Sequence, residues 1–462
     1  MSVERSAETT GATRAAGATG AAERSVVEDE KTKVGNYFVS NYPPYSFWKR
    51  EHVPALERLL ATPPEAPVPL GIYLHIPFCR QRCDFCYFKV YTDKSSKEIR
   101  RYLAAVRSEL ELYARTPRLA GRAAHFVYFG GGTPSYLSAE QLGELFAAVR
   151  ATFPWQRGDA DSEVAFECEP GTLSEAKLQE LKRLGVTRLS LGVENFDPHI
   201  LEINNRAHRA AEIQRTYQHA RAVGFDQINI DLIAGMVGES DSNWRRCVEE
   251  TIALLPESVT IYQMEVPFNT TLYQRMKDVH DETAPVADWE TKRRWTDEAF
   301  QRLESAGYRI GSAYTAARGA RTRFVYRDEL WRGADLLGVG VSSFSHLGGV
   351  HFQNEHEFET YNARVEAGEL PIARALALTQ EERMIREFIL QLKLGLVPRA
   401  YFQKKFGVDL LARFRAPLEE QRRAGWLTWN DDEIRVTRAG LLRVDTLLSS
   451  FFLAEHQGAR YA

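Results

Sequence analysis

No apolar run in the 462-residue sequence approaches the length needed to span a bilayer, so a membrane span is not expected. Neither sign of charge prevails: 59 Lys and Arg face 62 Asp and Glu, a net charge of −3, and nothing in that balance points to nucleic acid. Cysteine is scarce. The five present, three of them clustered, do not make a disulfide framework. A free thiol cluster needs a reducing compartment, and the cytoplasm is the expected location. The first thirty or so residues mix Ala, Gly, Thr and Ser with Arg and Glu, so residues 1–33 read as a disordered leader rather than a signal peptide. At 44% hydrophobic and 11% aromatic, the chain has the means to build two or three domains with a substantial core.

What is present is concentrated in one short run. Cys79, Cys83 and Cys86 form CxxxCxxC within the stretch His75 to Phe88. Three thiolates this close can hold three irons of a [4Fe-4S] cube and leave the fourth iron open to a small molecule. Structural zinc is the alternative, but zinc usually takes four ligands from two separated pairs, and no second pair exists. His75 is the nearby residue that could complete such a site. Cys168 and Cys247 stand alone, and Cys247 reads as a core thiol.

From about Gly71 a short β-rich run followed by an amphipathic helix repeats along the chain. Strands are expected at Ile72–Ile76, Phe126–Phe129, Val164–Phe166, Arg188–Leu191, Ile228–Ile233 and Val259–Gln263. Ser138 to Gln141 reads as a capping box, and Gly185, Gly224 and Gly307 sit where helices end. Strict alternation of this kind predicts an α/β fold with a parallel sheet wrapped by helices, doubly wound or a partial or full (βα) barrel. Polar signals then fall at the strand ends: Cys79, the triplet Gly130, Gly131 and Gly132, Glu167, Glu194 and Asp231. In parallel α/β folds those ends share one face, where sites are built. After Thr379 the pattern turns to helices, 379–394 and 410–423, then a hairpin at Asn430 to Asp432. The expected organisation is a strap or lid over 34–69, a barrel over 70–378 and a small, mostly helical C-terminal domain over 379–462.

With these residues in place, the chain resembles the HemN-like branch of the radical SAM superfamily, which holds the oxygen-independent coproporphyrinogen III oxidases. The run from Tyr73 through Cys79 to Cys83 and Cys86 carries the likeness. It implies a [4Fe-4S] cluster on Cys79, Cys83 and Cys86, whose open iron binds S-adenosylmethionine (SAM) and splits it to a 5′-deoxyadenosyl radical. It further implies SAM contacts from Gly130, Gly131, Gly132, Thr133, Glu167, Glu194, Arg206 and Asp231, with adenine resting near Phe85 and Ile233. Tyr73 would lie against the cluster and the sulfonium as a catalytic residue. The region around Val341, Ser342 and Ser343 resembles a segment beside a second SAM and the substrate. A small-molecule substrate and a low-potential electron donor such as flavodoxin or ferredoxin complete the implied partners.

Three departures bear on the reaction. Phe88 stands where the oxidases carry a further cysteine, Glu194 replaces a usual Gln, and Val237 a usual Pro. Phe88 is shared with haem-chaperone relatives and with class C methylases and cyclopropanases, while Ser40 to Pro44 looks more like the oxidases. The expectation drawn from this is class C methyl or methylene transfer to an unsaturated, aromatic or tetrapyrrole substrate. Oxidative decarboxylation in porphyrin biosynthesis and haem carriage are the alternatives.

Overall fold

The computed structural model describes residues 31–33, 35, 37–155, 162–278 and 285–459. The expected leader lies outside them except for its last three positions. Six parallel strands, β1 (Leu70–Ile76), β2 (Phe126–Gly131), β3 (Glu163–Cys168), β4 (Arg188–Glu194), β5 (Gln227–Ala234) and β6 (Ser258–Gln263), alternate with helices. Their Val, Ile, Leu and Phe side chains pack against those helices in one large core. Ser138 and Gln141 make the reciprocal capping box, and Gly185 and Gly224 end their helices in the left-handed conformation. Gly307 lies one residue beyond the C-cap Ala306.

Strict alternation stops at β6. The strands β7 (Tyr308–Ile310) and β8 (Thr315–Arg318) add antiparallel on that side. On the other, β9 (Asp335–Val339) is parallel to β1, and β10 (Phe344–Leu347), β11 (Val350–Asn354) and β12 (Ile372–Ala377) continue antiparallel. Gly348 and Gly349, with φ of 53° and 83°, make the tight two-residue turn between β10 and β11. The order is β12-β11-β10-β9-β1-β2-β3-β4-β5-β6-β8-β7, a sheet with two ends, so the barrel is partial rather than full.

The N-terminal segment has contacts on the β6 side of the sheet and at the β12 end. Gly35 bridges Val266, just past β6, and Lys49 bridges Ala375 in β12. Between these points Val39 and Tyr42 are buried in the core of the C-terminal region. The expected helix over 410–423 is broken into Leu410–Arg413 and Arg415–Arg423. Pro417, which lacks an N–H and disfavours helical geometry in the residue before it, fits only in the first turn of a new helix. The expected hairpin forms between β14 (Leu427–Trp429) and β15 (Glu433–Val436), and β13 (Leu396–Pro398), too short to show in the sequence, makes it three-stranded.

Candidate functional site

The carboxyl ends of the parallel strands open into a cavity of about 420 Å³. Every second residue of β4, β5 and β6 faces it: Arg188, Ser190, Gly192 and Glu194, then Asn229, Asp231 and Ile233, then Thr260 and Tyr262. Cys79, Cys83 and Cys86 line its inner end on the loop after β1. That loop is pinned by Cys79 N–H to Tyr91 O (3.1 Å), Tyr91 N–H to Pro77 O (2.7 Å) and the Asp84–Arg275 ion pair.

Around the thiols stand the expected polar groups. Thr133 Oγ1 lies 3.4 Å from Cys79 Sγ. Arg206 points Nη1 at Cys83 Sγ (3.1 Å), donates Nη2 to Gly192 O (2.7 Å) and lies 3.5 Å from Glu194; its buried Nε has no hydrogen-bond partner among the described residues. Glu194 itself sits at φ 63° beside a register shift in β4, strained backbone that turns its side chain towards Arg206. Glu167 accepts from Tyr128 OH (2.6 Å) and Gly131 N–H (3.0 Å), and Asp231 from Ser190 OH (2.7 Å) and Asn229 Nδ2 (2.8 Å). Burial pushes Glu167 and Glu194 up to about 7 and raises Asp231 as well. Three crowded acids facing one cavity suit a ligand that brings positive charge and hydrogen-bond donors. Phe85 and Ile233 give the same chamber an apolar wall.

The donor set fits an iron-sulfur cluster. Burial holds the Cys79 thiol up to about 11 and Cys86 up to about 12, so both are protonated in the free protein, and it is a bound cationic cluster that would make them thiolates. No three His, Cys, Asp or Glu side chains among the described residues converge where a single ion would sit. A four-iron cube spreads its thiolates wider than that. His75 is not among the residues of the cavity that the thiols line: its Nδ1 bonds Tyr73 OH (3.1 Å), and its ring fills the space where a Cβ on Gly131 would lie, 2.5 Å away. Gly131, at φ 111°, and Gly132, whose Cβ would meet Ile76 O at 2.8 Å, are thus required by close packing on β1 as much as by the cavity they line.

Several expected residues stand elsewhere. Tyr73 is not among the lining residues; it stacks behind Tyr128, centroids 5.9 Å apart. Gly130 also lies one layer back, against Tyr128 and Glu167. Val341, Ser342 and Ser343 do not reach the cavity. The chain folds back at Gly340 and Ser342 (φ 61°), and the segment is tied into a buried network: Gly340 N–H to Glu109 (2.8 Å), Val341 N–H to Tyr102 OH (3.1 Å), Asn354 Nδ2 to Glu109 (2.6 Å). Cys247 is a core thiol beside Asn195 Oδ1 (3.1 Å), whereas Cys168 lines the cavity.

The outer part of the cavity brings the expected strap and Phe88 together with segments to which the sequence assigned no role. Tyr37 and Phe38 from the strap, Tyr87 and Phe88 from the cysteine loop, Trp289, Arg293 and Tyr314, and the run Leu441 to Thr446 surround it. Tyr87, Phe88 and Tyr262 are 45%, 41% and 42% exposed, and the first two stack at 4.5 Å.

A partial (βα) barrel with three thiols, a guanidinium and buried acids at one strand-end rim defines an iron-sulfur protein that handles SAM. Comparison with known proteins agrees: residues 73–251 match the Radical SAM superfamily and 378–443 the HemN C-terminal domain. The chain belongs to the HemN-like branch of the radical SAM superfamily, and its cofactors are a [4Fe-4S] cluster and SAM. It is 28% identical over 402 residues to an oxygen-independent coproporphyrinogen III oxidase of Helicobacter pylori, covering 83% of this chain and 86% of that one. It is 30% identical over 388 residues to heme chaperone HemW of Mycobacterium tuberculosis, 82% and 94% covered. The solved coproporphyrinogen III oxidase HemN of Escherichia coli has the same fold, TM-score 0.76 at 24% identity, over 91% of this chain and 99% of that one.

Proposed function

We propose that the chain is an oxidoreductase of the coproporphyrinogen-oxidase type, which oxidatively decarboxylates propionate side chains of a porphyrinogen. One observation carries this reading: a single cavity runs from the three thiols to an aromatic outer chamber under the strap and the C-terminal region. SAM alone needs only the inner half. Arg293 and Arg443 line the outer half, where carboxylates of a substrate could meet them.

In this reading Cys79, Cys83 and Cys86 hold three irons. The Arg206 fork pairs with the SAM carboxylate, while Glu167, Glu194 and Asp231 accept from its ammonium and ribose hydroxyls. Gly131, Gly132 and Thr133 present backbone groups, and Phe85 with Ile233 bears the adenine. When bound, cluster and SAM supply a 5′-deoxyadenosyl radical. A propionate that yields one hydrogen atom to it loses carbon dioxide and one electron, the latter to an acceptor, and becomes a vinyl group. The strap residues Tyr37 and Phe38 cover the chamber and exclude water from a reactive intermediate. A low-potential donor such as flavodoxin or ferredoxin would reduce the cluster, and the cytoplasm would keep its thiols intact. No helix among the described residues is long and apolar enough to cross a membrane.

The expectation of methyl transfer was drawn from Phe88 in place of a further cysteine, and the chemistry would also need a second SAM; the segment expected beside it, Val341 to Ser343, is tied instead into the Glu109 network, and the relatives named above are oxidases and a heme chaperone. The test is product analysis of anaerobic protein with dithionite, SAM and coproporphyrinogen III. We expect 5′-deoxyadenosine, methionine, carbon dioxide and a vinyl product. S-adenosylhomocysteine would instead mark methyl transfer. A stoichiometric Soret band with haem and no 5′-deoxyadenosine would mark a carrier.

A further inference from the structure

The outer chamber holds two carboxylates in contrasting states. Asp445 is consumed by the protein: Oδ1 takes Val39 N–H (2.8 Å) and Lys393 Nζ (2.8 Å), and Oδ2 takes Tyr314 OH. Glu265 is not. Its Oε2 accepts Tyr37 N–H (3.0 Å), while Oε1 has no hydrogen bond or ion pair among the described residues and is not sealed from the cavity that Glu265 lines. The nearby cations cannot serve it. Lys292 is directed to Thr32 Oγ1 (2.6 Å) and Met264 O (2.7 Å), and Lys393 to Asp445 and Val39 O (2.8 Å). Burial accordingly pushes Glu265 up to about 8, so near neutral pH the free acid is protonated and a ligand's donors draw it to the carboxylate form. Glu265 is half-buried, so solvent meets that oxygen until a ligand that excludes water brings a donor to it.

We infer that Glu265 is a specificity-determining residue whose free oxygen accepts the inner N–H groups of a porphyrinogen. The inference rests on the substrate class proposed above and goes further by naming how it is recognised. A porphyrinogen turns four pyrrole N–H donors towards its centre. A metalloporphyrin has none, because the metal occupies all four nitrogens. A site built around a buried acceptor rejects an analogue that lacks the donor far more strongly than an apolar pocket rejects a change of size.

The test is anaerobic equilibrium binding of coproporphyrinogen III and of copper(II) coproporphyrin III, which carry the same four propionates, to the full chain with its cluster; the four-coordinate copper takes up no axial carboxylate. The wild type should favour the porphyrinogen. Glu265→Met should weaken porphyrinogen binding about tenfold or more, the loss of a charge-assisted hydrogen bond, with copper coproporphyrin affinity unchanged. Glu265→Gln, which keeps an acceptor for Tyr37 N–H, should show an intermediate loss and guards against a Met variant that fails to fold. Porphyrinogen affinity that survives in both variants, or both affinities falling together, would overturn the inference. Equal wild-type affinity for the two ligands overturns it while leaving the substrate class standing; binding of neither overturns both.

Discussion

The inner and outer halves of the cavity are built in opposite ways. The inner half is made by strand ends of one sheet: side chains two residues apart on β4, β5 and β6, plus the loops after β1 and β2. Arg206 lies beside Glu194, and Glu167 and Asp231 are bonded to Tyr128 and Ser190 on the neighbouring strands, all before any ligand arrives. The outer half is assembled from the strap, the helix Trp289–Ser305 and the run Leu441 to Thr446, segments far apart in the chain. Their junction is a buried latch. Lys393, fully buried, pairs with Asp445, and together they take the carbonyl and the N–H of Val39 in the strap. The difference teaches that the inner half is fixed by the scaffold, while the outer chamber exists only as long as three outlying segments stay docked.

Substitutions in each half should separate them. Cys83→Ala has the largest expected effect: loss of the cluster's visible absorbance and of all SAM cleavage, with the fold retained by circular dichroism. Asp445→Ala should act on the outer half alone. It strands Lys393 in the interior and costs about 3–5 kcal/mol in denaturant unfolding, the penalty for breaking a buried pair. Proteolysis near the strap should accelerate while the cluster spectrum stays unchanged; loss of the cluster there would merge the two halves. Arg206→Ala should keep the cluster and weaken SAM binding by about 2 kcal/mol, measured by calorimetry. The smallest effect is on pH. Glu167 and Glu194, raised to about 7 in the free protein, must ionise to accept donors from SAM, so affinity should fall as pH drops below about 7 and level off above it. Glu194→Gln should flatten part of that slope.

Legibility follows the same division. The inner half was readable because its residues sit in motifs or at ends of strongly β-patterned runs, where sequence neighbours are spatial neighbours. Tyr128, Arg188, Ser190 and Asn229 escaped, although their period-two spacing from Gly130, Glu194 and Asp231 was a usable signal; Thr260, on β6, had no such reference. The outer half depends on tertiary docking that leaves no local pattern: nothing near Glu265 announces that Tyr37 will meet it across 228 positions. Val341 to Ser343 misled for a related reason. A glycine-rich strand end looks alike whether it faces a ligand or, as here, folds onto the buried Glu109. The antiparallel turns after β6 were hidden because short hairpins interrupt the helical spacing only slightly.

The central claim is that radical chemistry begun at the inner thiols reaches a propionate-bearing ring in the outer chamber. Mass spectrometry of the anaerobic reaction with coproporphyrinogen III deuterated on its propionate side chains tests it most directly. The account predicts deuterium in 5′-deoxyadenosine together with a vinyl product. Unlabelled 5′-deoxyadenosine with intact propionates would contradict it.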